Sequence, residues 1–76
     1  MGFKERREAE AIEVVQRLAV IAALTPEVRA AYVAGDDAAA EAAMREAIGR
    51  AARELSSYDA ALVREWAAER RAEAGA

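Results

Sequence analysis

The chain has 76 residues, carries a net charge of −3, and contains neither cysteine nor histidine. That length bounds it to one small domain, 1–76. The missing Cys and His remove disulfides, thiolate metal sites and the commonest acid–base groups, and the mixed, slightly acidic charge argues against a nucleic-acid partner, which needs a basic face.

Residues 3–24 read as a first helix. Its opening turns are charged (Lys4, Glu5, Arg6, Arg7, Glu8, Glu10). A stripe then runs through Ala11, Ile12, Val15, Leu18, Ala19 and Ala22 at helical spacing, with Val14, Ile21 and Leu24 on another side. From Leu18 to Leu24 the helix is apolar all round and needs cover from more than one direction. Val15 and Leu18 are expected to be fully buried. Seven apolar residues are too few to span a bilayer, so no membrane partner is expected. The run also lies too deep, behind too many glutamates, for a secretory signal, and position 6 is arginine where the myristoylation pattern has Ser or Thr. No targeting signal is therefore expected.

Thr25-Pro26-Glu27 ends that helix and starts a short second one, 26–34. Proline suits a first helical position, and the Thr25 hydroxyl is expected to cap. Val28, Ala31 and Tyr32 share a face. Gly35 supplies the left-handed residue that closes a helix, and Asp36 is a good cap for the next.

A third helix starts at Asp37, with the stripe Ala40, Met44, Ala47, Ile48, Ala51 and Leu55. Glu41–Arg45 and Glu46–Arg50 are ion pairs in the favourable order. Gly49 falls on a flank with Ala38, Ala42 and Ala52, which suggests close approach of another backbone there. Ser56 with Asp59 three residues on resembles a capping box, which would start a new helix. The stripe nevertheless continues in phase through Tyr58, Leu62 and Trp66, close to a heptad seam. The expectation is one long helix, 37–73, with Ser56-Ser57 as the place where it can break, and a frayed tail Ala74-Gly75-Ala76. The fold class is all-α: a small helical bundle.

No catalytic, cofactor-binding or metal-binding residues are assigned. Asp59 is the one carboxylate near the aromatic face, and a helix-start role explains it better than acid–base chemistry. Asp36-Asp37 point apart on a helix, so capping outweighs metal binding. Arg6-Arg7 and Arg70-Arg71 are interleaved with glutamates and read as solvated faces. Of the hydrophobic residues 23 are alanine, so large side chains are few and the core they can fill is thin, which favours self-association, a bound partner or very regular helix packing. Tyr58, Leu62 and Trp66 form a ridge that is either core or interface anchor. If the long helix is continuous, the ridge overhangs the first helix and a second copy, laid antiparallel as a dimer, covers it. If the chain breaks at Ser56-Ser57, the ridge turns inward and the interface is to be sought at Val20 and Val33.

Thr25-Pro26-Glu27 as a helix starter, Ala34-Gly35-Asp36 as a tight link and the strong helix-former filler resemble computationally designed (de novo) all-helical bundles. The departure is the ratio of ten Arg to one Lys, since designs use Lys freely. The resemblance implies no natural catalytic function, so an enzyme is not expected. It implies a structural or interaction protein that self-associates or binds a protein partner through spare apolar helix faces. The alternatives are a natural, antitoxin-like regulator or adaptor from a GC-rich genome, and a designed small-molecule-binding bundle.

Overall fold

The structure, a computed structural model, describes residues 2–75; Met1 and Ala76 lie outside the described residues. Among the described residues it is all-α, with four helices: α1 (Phe3–Ala23), α2 (Pro26–Val33), α3 (Asp37–Ala52) and α4 (Ser57–Gly75). The long helix expected over 37–73 is broken at the serines. The Asp59 amide donates to the Ser56 hydroxyl oxygen at 3.1 Å, and the Ala60 amide donates to the Ser56 carbonyl at 2.9 Å. Ser56 thus satisfies amides that a new helix start leaves without partners, and the local cap outweighs the continuous stripe. At the far end α4 runs through Ala74 and Gly75 rather than fraying at 73.

The other boundaries follow local chemistry. Gly35 has φ of 72°, and the amides of Gly35 and Asp36 donate to the carbonyls of Tyr32 and Ala31, a Schellman closure of α2. The Asp36 carboxylate accepts from the Ala39 amide at 3.0 Å, which starts α3. Thr25 is the residue before α2, but its hydroxyl does not cap that helix. It donates backwards to the Ala22 carbonyl at 2.8 Å, satisfying one of the unpaired carbonyls at the end of α1.

The chain divides into two compact units that share α1. One comprises residues 1–16 and 55–76, the other Arg17–Glu54. In the second unit Ala22, Val28 and Ala47 form a buried cluster, with Ala43, Met44 and Ile48 packed against it. The ion pairs Glu41–Arg45 and Glu46–Arg50 form on α3 at 2.9 and 3.0 Å. Gly49 does not mark a close approach: a Cβ built there meets nothing within 4 Å.

The buried line of α1 is Ala11, Val14, Leu18 and Ala22. Leu18 is buried as expected, but Val15 is only half-buried and Ile12 is exposed. At 100° per residue, Val15 and Ile12 lie about 60° and 120° from the centre of that line. The expected stripe was therefore rotated, and Val14 takes the place given to Val15.

Candidate functional site

Two places in the molecule carry side chains that could meet something else, one in each unit. In the first unit, α4 lies against the first half of α1 in the antiparallel sense, since Tyr58 at the start of α4 meets Glu10, and Glu65 and Arg70 farther along it meet Arg7 and Glu8. The Tyr58 hydroxyl donates to Glu10 at 2.8 Å, and Arg7 donates from Nε and Nη2 to the same oxygen of Glu65 at 3.2 and 2.7 Å. Arg70 reaches Glu8 at 3.3 Å and, within α4, Glu73 at 3.2 Å. The basic pairs read as solvated faces therefore divide. Arg7 and Arg70 are half-buried and paired across the two helices, whereas Arg6 and Arg71 face solvent.

The guanidinium groups also sit on rings. Arg7 lies 5.7 Å from the Phe3 centroid and 6.0 Å from that of Tyr58, and Arg70 lies 5.9 Å from that of Trp66, all within cation–π range. The hydrogen bonds that Arg7 donates to Glu65 raise the Arg7 pKa above its ordinary value. The hydrogen bond to Glu10, reinforced by burial and the nearby carboxylate charge, raises that of the Tyr58 hydroxyl. Both effects keep these groups protonated. Neither Trp66 Nε1 nor Arg70 Nε, both buried, bonds to another protein group.

Between these two helices lies a cleft of about 140 Å³, lined on one side by Phe3, Lys4, Arg7, Glu8 and Ala11 and on the other by Leu62, Glu65, Trp66 and Glu69. The spacing explains the lining: 62, 65, 66 and 69 share one face of α4, and 4, 7, 8 and 11 share one face of α1. The sequence reading found the apolar half of this constellation in Leu62 and Trp66 but not the charged half.

The structure brings Tyr58, Leu62 and Trp66 together on α4, the ridge expected to be either core or interface anchor, and buries them unequally. Leu62 is 2% exposed, one of the two largest fully buried side chains. Trp66 is half-buried, and only Tyr58 remains largely outside. The overhang that called for an antiparallel second copy required an unbroken helix and is absent. Val20 and Val33, the residues to consult in that event, lie in the second unit and are exposed, Val33 at 89%. Val20 has Ile21 and Leu24 beside it on the outer side of α1, both exposed. Asp59 is half-buried in the first turn of α4, the position expected of a helix-start residue.

Among the described residues no group of three or more Asp or Glu could hold a metal ion, and no helix is long and apolar enough to cross a membrane. No family model matches the chain, and no curated protein or solved structure matches it either.

Proposed function

We propose that this chain is a helical interaction protein that associates with a second copy of itself through the apolar side chains it leaves outside. The observation that carries the reading is an imbalance. Among the described residues, the buried large apolar side chains are Val14, Leu18, Val28 and Leu62. The exposed ones are twice as many: Phe3, Ile12, Val20, Ile21, Leu24, Tyr32, Val33 and Tyr58. Scattered exposed apolar residues are ordinary, but five of these eight fall between Val20 and Val33, in the second unit. The other half of the buried set is alanine (Ala11, Ala22, Ala40, Ala47), whose methyl groups contribute little transfer free energy. Covering Val20, Ile21, Leu24 and Val33 against another chain adds the apolar burial that the internal core lacks. The designed-bundle resemblance is in keeping with this reading, because such chains are built around helix faces that meet helix faces.

Sedimentation over a micromolar-to-millimolar range tests it. The expected result is a mass above the 8.1 kDa of one chain, returning to 8.1 kDa in the Val20→Glu, Val33→Glu double variant with helicity unchanged. A mass of 8.1 kDa throughout the range would overturn self-association.

A further inference from the structure

The geometry points to a second role, independent of self-association: we propose that the cleft between α4 and the first half of α1 binds a small organic cation with a flat apolar body. Its closed end is apolar, formed by the buried Ala11 and Leu62. Its walls carry two rings, the half-buried Trp66 and Phe3, which is 74% exposed and therefore stands at the mouth. At about 140 Å³ the space fits one ring and not a drug-sized ligand.

The sign of the guest follows from how the lining charges are matched. Glu65 already holds Arg7, and Glu8 already holds Arg70. Glu69 is half-buried on the cleft wall, and neither a hydrogen bond nor an ion pair engages it. Of the three lining carboxylates, that of Glu69 is therefore the one left to pair with a cationic guest. Lys4, the remaining cation of the lining, is exposed and can extend into solvent. The rings add to the preference, because an aromatic face attracts positive charge and repels negative. The protein's own side chains already use the region in this way: the planar Arg7 guanidinium lies near the Phe3 and Tyr58 rings while bonded to Glu65. An amidinium or guanidinium guest repeats that arrangement against Trp66 and Glu69.

The probe is benzamidine hydrochloride, followed through the emission of Trp66, the only tryptophan in the chain. Benzamide, neutral and of the same shape, and benzoate, of opposite charge, serve as controls. The expected result is a saturable change in the millimolar range appropriate to so small a ligand, absent with benzamide and benzoate. Glu69→Gln, at unchanged helicity, weakens binding about fivefold, the contribution of one half-exposed ion pair. No saturable response to ~10 mM, an equal response to either control, or unchanged affinity in Glu69→Gln would each overturn the proposal. Because these readouts follow the first unit alone, they are unaffected by whether the chain proves monomeric.

Discussion

The hydroxyl of Tyr58 donates to the carboxylate of Glu10 across 48 positions of sequence, at 2.8 Å, at the end of a row of polar contacts that ties α4 to α1. The bond exists only while the phenol keeps its proton, and it raises the Tyr58 pKa above the ordinary 10.0. A folded-state pKa raised in this way stabilises the fold fully below about pH 10, the unfolded value. That contribution is lost as pH climbs through the folded pKa. Ultraviolet titration should show Tyr58 ionising at higher pH than in the Glu10→Gln variant, and the variant should lose less stability on moving to alkaline pH. Identical titration curves would show that the bond does not persist in solution.

The core line of α1 makes a contrast between neighbours. Leu18 is 5% exposed, so Leu18→Ala should cost about 2–5 kcal/mol in a denaturant titration. Val15, one turn earlier and half-buried, should cost clearly less on the same change. Equal losses would mean that the helix is rotated relative to the arrangement described.

Ser56 starts α4 through its hydroxyl, and Ser56→Ala should destabilise the chain by about 1 kcal/mol. A gain of helical ellipticity with no loss of stability would indicate that α3 and α4 fuse once the cap is gone.

Two glycines should respond in opposite directions. Gly49 is mid-helix with open space around its Cα, so Gly49→Ala should stabilise by roughly 0.5–1 kcal/mol through helix propensity. Gly35 holds a positive φ, so Gly35→Ala should destabilise by about 1 kcal/mol although its surroundings are equally open. Thermal melts of the two variants read the difference directly.

The helix ends at Pro26, Gly35 and Asp36 were legible because each is set by a residue whose preference acts within a few positions. Ser56 was harder, since two correct observations pulled apart. Stripe phase tells which face of a helix is apolar, not whether the backbone is continuous. The cap decides the break, and Leu62 turns inward only with it. The face of α1 was mis-set for a different reason. Between Leu18 and Leu24 every direction is apolar, so periodicity has no contrast to work with, and the choice of Val14 over Val15 comes from packing. The charged lining of the cleft was not legible at all. Arg7 with Glu65 and Glu8 with Arg70 are separated by 58 and 62 positions, and nothing near either member distinguishes a cross-helix pair from a solvated one. The one usable signal was position: Arg7 and Glu69 continue the apolar stripes of their helices, and Glu8 and Glu65 flank them.

The closure of α2 onto α3 through Gly35 and Asp36 also bears on the order of events as the chain folds. Val28 and Ala47 meet across a link that leaves few dihedral angles to fix, so the entropic cost of bringing them together is small. Glu10 and Tyr58, by contrast, must find each other across most of the chain. The helical hairpin from Pro26 to Ala52 should accordingly form at the barrier, and the docking of α4 should follow it. In temperature-jump kinetics, Val28→Ala is expected chiefly to slow folding and Leu62→Ala chiefly to speed unfolding.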